Sequence, residues 1–227
     1  MKKVYYILNI SLFLITMALG ICYIVLGGLA FKGTASACFV LMGIFNLIYA
    51  IKNKNGKIKF SIMMLVGLTF AMLGDILLNI EFIVGAVLFA IAHVCYFVAY
   101  CMLSKFKWTD LIAGAIIFLP SVLFITLAPI FDFGGVLMEI VCVIYALIIS
   151  CMVGKSISNL IRERNILNIL LVVGSCLFFF SDLMLLLNVF GSLPKIFDIL
   201  CLATYYPAEC VLAYSISQTK KEQIEEK

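Results

Sequence analysis

The chain has 227 residues, of which 65% are hydrophobic and only 12% charged, with a mean hydropathy of +1.22. A soluble core of this length has no use for so much apolar sequence, whereas bilayer spans of about 20 apolar residues do. The sequence therefore excludes a soluble globular fold, and its formal net charge of +4 reports membrane topology rather than nucleic-acid binding, as the placement of the basic residues shows.

Eight spans are predicted, at residues 4–26, 34–51, 60–80, 82–104, 110–130, 133–154, 166–189 and 196–217. They make an all-α polytopic bundle in one integral membrane domain covering residues 1–227, with connections too short for a separate soluble domain. Met1-Lys-Lys before an apolar run has the look of a signal peptide, but the run is too long for an h-region and further spans follow. Ala35-Ser36-Ala37-Cys38 resembles a lipoprotein cleavage site, yet Lys32 interrupts its approach and Cys38 falls inside the second span. Trp108 sits at a predicted interface, where indole is favoured. With the N-terminus in the cytoplasm, the inner segments hold fourteen of the sixteen Lys and Arg residues, and the outer segments keep only Lys32 and Lys195. A miscounted span would invert every later loop and scramble that split, so both termini are expected inside. In a bacterial cell the membrane would be the cytoplasmic one.

Two acids stand where lipid makes them expensive. Asp75 lies in Met72-Leu-Gly-Asp-Ile-Leu-Leu78 of span three, and Asp182 in Phe178-Phe-Phe-Ser-Asp-Leu-Met-Leu185 of span seven. A charged side chain at the centre of a bilayer costs at least about 2.5–3.5 kcal/mol, so each is by default a functional-site candidate. Their surroundings match. Gly67 and Gly174 each precede the Asp by eight residues, a small residue (Gly74 or Ser181) comes just before, and Leu78 or Leu185 follows three residues on. Spans three and seven run the same way, which predicts a four-plus-four parallel repeat. Taking the predicted span ends and 1.5 Å per residue, Asp75 lies about 8 Å below the outer end, Asp182 about 10 Å and Glu139 of span six about 9 Å. His93 falls near mid-membrane and Glu209 somewhat deeper, so these groups fit one cavity opening toward the outer leaflet. Gly67, Ala71, Asp75 and Asn79 form a small, polar stripe suited to close helix contact. Phe89, His93, Tyr96 and Tyr100 share a face of span four, and Tyr205, Tyr206 and Glu209 a face of span eight. Pro207 removes a backbone donor and predicts a kink near the carbonyl of Ala203.

Several chemistries are excluded. One histidine cannot build a three-histidine zinc site, and neither a G-x-S-x-G elbow nor a G-x-x-x-x-G-K-[ST] phosphate loop occurs. No metal and no cofactor is expected. The nine cysteines lie in or near spans without a C-x-x-C pair and read as small buried hydrophobes. What remains is a carboxylate pair, an imidazole and several tyrosines. Such a pair suits acid–base chemistry through an oxocarbenium-like state, one carboxyl holding a proton and the other a charge. A buried Asp also serves simply to hydrogen-bond across helices, and membrane-embedded acids also mark proton relays in carriers.

Four motifs in order resemble one family. They are Gly74-Asp75-Ile-Leu-Leu78, Gly85-x3-Phe89-x3-His93-x2-Tyr96, Ser181-Asp182-Leu-Met-Leu185 and Tyr205-Tyr206-x-Ala208, joined by Lys32 before span two and Tyr145 in span six. With them the chain resembles the YhhN family of eight-span membrane proteins, whose characterised animal members are lysoplasmalogenases. Departures are Glu209 where Gln is expected, Gly33 after Lys32 where Pro is common, and Pro207 in span eight. The resemblance implies hydrolysis of the vinyl ether bond of a lysophospholipid, giving a fatty aldehyde and a glycerophospho-ethanolamine or -choline. It implies Asp75 and Asp182 as catalytic, and His93, Tyr96, Tyr145, Tyr205, Tyr206, Glu209 and Lys32 as supporting or substrate-binding residues. Lys32 is in that reading either a point charge for the head-group phosphate or a snorkelling interfacial lysine. Partners are then the lysophospholipid and membrane lipids, without nucleic acid.

Overall fold

The computed structural model describes residues 2–53, 57–191 and 194–219. Lys54, Lys220, Lys221 and Lys227 of the basic count lie outside them. The described residues form eight α-helices and no strand: α1 (Lys2–Leu26), α2 (Leu29–Lys52), α3 (Ile58–Leu77), α4 (Phe82–Leu103), α5 (Trp108–Leu127), α6 (Val136–Arg162), α7 (Ile166–Phe190) and α8 (Ile196–Ser215). All eight are long and apolar enough to cross a bilayer, so the chain is an integral membrane protein. Lipid offers no partners to backbone amides, and continuous helices satisfy them internally.

Several ends differ from the sequence expectation, each for a local reason. α2 starts at Leu29 rather than 34, because Gly27 and Gly28 take φ of 71° and 93° and turn the chain in two residues. Lys32 therefore sits in the first turn of α2 and is buried, not in an outer loop. α3 stops at Leu77 rather than 80. The amides of Ile80 and Glu81 both bond back to the carbonyl of Leu77, and Gly85 lies so close to the backbone of Leu78 that a Cβ there would overlap it. Asp75 is thus in the last turn of α3. α6 starts at Val136 and leaves Glu139 in its first, partly exposed turn. At the other end it runs to Arg162, eight residues past the expected 154. Its polar inner turns find partners: Lys155 Nζ donates to Asp110 Oδ2 at 2.9 Å, Arg162 also pairs with Asp110, and Asn159 donates to the carbonyl of Tyr100 at 3.0 Å. Lys155, counted from sequence as a loop cation, is a fully buried partner in this ion cluster. α8 continues through Pro207, and its boundaries show no interruption there.

The helix contacts repeat with the two halves of the chain. α1 on α2, α2 on α3, α3 on α4 and α2 on α8 are matched by α5 on α6, α6 on α7, α7 on α8 and α6 on α4. The repeated glycines have matching jobs. Gly67 of α3 makes room for the ring of Tyr96 on α4, and Gly174 of α7 for Leu212 on α8. Two contacts lack counterparts: α1 and α3 both touch α8, whereas neither α5 nor α7 comes as close to α4.

Candidate active site

Each carboxylate is completed by a helix from the other half. Asp75 (α3) accepts from Ser36 of α2 at 2.5 Å and from Tyr206 of α8 at 3.4 Å. Asp182 (α7) accepts from Tyr145 of α6 at 2.8 Å and lies 3.0 Å from Nε2 of His93 on α4. The exchange follows from the packing, since α8 reaches into the first half and α4 into the second.

The two sites differ in charge. Lys32 Nζ lies 3.1 Å from Asp75 Oδ1 and donates to Asn79 Oδ1 at 2.9 Å. Asp75 therefore has a cation on one oxygen and two hydroxyls on the other, and both its oxygens are engaged. Among the described residues, Asp182 has no lysine or arginine paired with it. Its Oδ2 takes both partners, and its Oδ1 makes no hydrogen bond among the described residues. His93 is fully buried, and its Nδ1 has no hydrogen-bond partner among the described residues. A neutral ring with Nε2–H donating to Asp182 leaves only a lone pair there, whereas the other tautomer would strand a buried N–H, the costlier choice.

The remaining expected residues fall into two layers. Tyr205 donates to the carbonyl of Ala71 at 3.2 Å and packs edge-on against Phe89 and Phe178. His93 stacks its edge on Phe178 with centroids 4.5 Å apart. Below this aromatic layer Tyr96 donates to Glu209 Oε2 at 2.7 Å, with Oε1 of Glu209 unpartnered among the described residues. Tyr96 and Glu209 are fully buried and border neither cavity described next. Glu139 borders neither as well, so the outer acids do not all share one cavity as expected. Its predicted depth rested on a helix start three residues too early.

Two cavities meet at Asp182, and Asp75 borders one of them. A polar one of about 180 Å³ is bordered by Lys32, Asp75, Asn79, Asp182, Asp198 and Tyr205 among others. An apolar one of about 290 Å³ lies between α4, α5, α6 and α7, with Tyr145 and Asp182 in its wall. Leu78, Phe82, Phe89, Asp182 and Leu185 border both, and Asp182 is the only ionisable residue among these five. Sequence reasoning missed Ser36, Tyr23, Asn188 and Asp198. Ser36 stands one helical turn from Lys32 on the same face, a signal that was available. Asp198 is in the first turn of α8, where an acid reads as an ordinary terminal charge.

Among the described residues, no group of three or more His, Cys, Asp or Glu side chains is placed to hold a metal ion. The nine cysteines are free thiols.

A helical membrane bundle with two cross-braced carboxylates, one of them where a polar and an apolar chamber adjoin, defines the class of protein. The model of the YhhN family matches residues 27–216, and the chain belongs to that family. No curated protein and no solved structure gives a match.

Proposed function

We propose that the protein hydrolyses the vinyl ether bond of a lysoplasmalogen, releasing a fatty aldehyde and a glycerophospho-ethanolamine or -choline. The observation that carries the reading is the place of Asp182. Its free oxygen belongs to the one ionisable side chain that borders both chambers, where the junction between head group and hydrocarbon of a single-chain lipid would lie. In the polar chamber Asp75 and Asp198 stand against the single ammonium of Lys32, which favours a head group carrying a cation. Because that ammonium is spent on Asp75 and Asn79, Lys32 acts here as a charge partner rather than as a phosphate ligand.

The chemistry balances on these groups. Asp182, protonated on Oδ1, gives its proton to the alkenyl carbon farther from the ether oxygen. The resulting oxocarbenium ion is stabilised by the carboxylate of Asp75, which Lys32, Ser36 and Tyr206 hold fixed. Water adds to the carbon bonded to oxygen, and Asp182 takes the proton that water loses. The hemiacetal then collapses: Asp182 gives the proton it took from water to the glycerol oxygen as that C–O bond breaks, the hemiacetal hydroxyl returns its own proton to Asp182 as the carbonyl forms, and the aldehyde departs. His93 and Tyr145 fix Asp182 through its other oxygen. The test is aldehyde release from a 1-alkenyl lysophosphatidylethanolamine by purified protein, with the 1-acyl lipid as control. Absence of aldehyde under conditions where the lipid binds sinks the reading.

A second reading, a proton-coupled carrier, has one observation in its favour. His93–Asp182, Tyr96–Glu209 and Tyr100–Ser175 step along α4 as hydrogen-bonded pairs from the chambers toward the inner end. Lipid-dependent proton flux into liposomes, without aldehyde release, would select it.

A further inference from the structure

One of the two breaks in the repeat coincides with the apolar chamber. In the first half α1 lies on α8, with Gly20 against the ring of Tyr206. In the second half α5 comes within packing distance of α6 alone among the helices. Its inner half is pinned there. Gly154 meets the backbone of Gly114 so closely that a Cβ would overlap it, and Asp110 is clamped by Lys155 and Arg162. Above this pivot Pro120 removes a helix hydrogen bond, and the outer half of α5 stands away from α4. Pro120, Ser121 and Phe124 face Phe82, Ala86 and Phe89 across the chamber rather than packing on them. Pro120 and Phe124 of its wall are exposed at the outside of the bundle.

We propose that this gap is a lateral portal and binding groove for one hydrocarbon chain of a lipid drawn sideways from the outer half of the bilayer. The occupant is a single-chain amphiphile with a polar head. Three observations commit to it. The groove adjoins the polar chamber, sharing five wall residues with it. Its wall is apolar except at Asp182, Tyr145 and Ser121. At roughly 30 Å³ for a water-sized group, its volume of about 290 Å³ takes about ten methylene groups, the size of one chain segment. Because the portal faces lipid, the rest of a longer chain stays in the bilayer. Binding therefore strengthens with chain length up to about ten carbons and then levels off, where a closed pocket would show a cutoff.

The inference rests on the hydrolase reading for its substrate but not for its test. The probe is a 1-acyl lysophosphatidylethanolamine with a diazirine in mid-chain, an ester that needs no turnover, photolysed with the full chain in nanodiscs. Expected adducts lie on α5 residues 120–125 and α6 residues 141–146, and unlabelled lysolipid competes them away. Ala86→Trp and, separately, Ser121→Trp narrow the groove. Each should weaken labelling about tenfold if roughly two methylene contacts are lost, whereas Leu14→Trp on the lipid face of α1 should not. Adducts spread evenly over lipid-facing helices, adducts that resist competition, or labelling unchanged in both groove variants would overturn the portal. Groove labelling without aldehyde release from the alkenyl lipid overturns the hydrolase reading and leaves the portal standing. Aldehyde release with adducts elsewhere does the reverse.

Discussion

Lys32 Nζ lies 3.1 Å from Asp75 Oδ1, with both side chains about 5% exposed or less. A buried pair of this kind is strongly destabilised when one partner goes, because the other is left as an uncompensated charge. Lys32→Met should lower stability by about 3–5 kcal/mol. Adding Asp75→Asn should recover most of that, since an amide needs no counter-charge. Thermal unfolding of both variants in one detergent checks this. A double variant no more stable than Lys32→Met would mean that Lys32 supports something other than Asp75.

The same logic applies at the inner end, where Lys155 Nζ meets Asp110 Oδ2 at 2.9 Å and both side chains are almost fully buried. Arg162 remains beside Asp110, so Lys155→Met should cost less than the loss of an isolated pair. Gly154→Leu should cost more than Lys155→Met, because it pushes α5 off α6 at a backbone contact that no rotamer change relieves. Melting temperatures that rank the two the other way would place the pivot in the ion cluster.

Much of this architecture was legible in the sequence, and the failures have physical causes. Span number followed from hydropathy and the distribution of basic residues, signals that sum over many residues. The repeat around Asp75 and Asp182 was visible as spacing, and Gly67 and Gly174 prove to be sockets for Tyr96 and Leu212. Helix ends were less legible. Lys32 and Lys155 read as loop cations because a lone charge marks a boundary in a hydropathy profile, yet each has an acid from a neighbouring helix that makes burial affordable. That Asp75 and Asp182 differ in their surroundings was hidden for the same reason. Their partners come from α2 and α8 in one case and α4 and α6 in the other, and no local pattern records such pairings.

Topology is testable without any structure. Both termini should face the cytoplasm and Lys195 the outside, by the positive-inside rule. Lys57 and Lys195 are both exposed, so single cysteines at these positions, in a background lacking the native thiols, should react from opposite sides with an impermeant maleimide. Labelling of both from the same side would sink the eight-span arrangement.

The sharpest prediction concerns the two aspartates. Asp182→Asn removes the group that would donate the proton, and should cut aldehyde release by about 10²–10⁴-fold, the range for a general acid or base. Asp75→Asn removes the fixed anion but also leaves Lys32 without its partner, so it should lose both activity and stability. His93→Gln should do less than either, because an amide can still donate to Asp182 Oδ2 while Tyr145 continues to do so. If the carboxylates act as one unit, the double variant should be little worse than Asp182→Asn alone. Purified variants with matched elution profiles, assayed for aldehyde, decide it. Near-wild-type rates in Asp182→Asn would make the aspartates structural braces between the two halves, a role that their cross-repeat hydrogen bonds could fill without any chemistry.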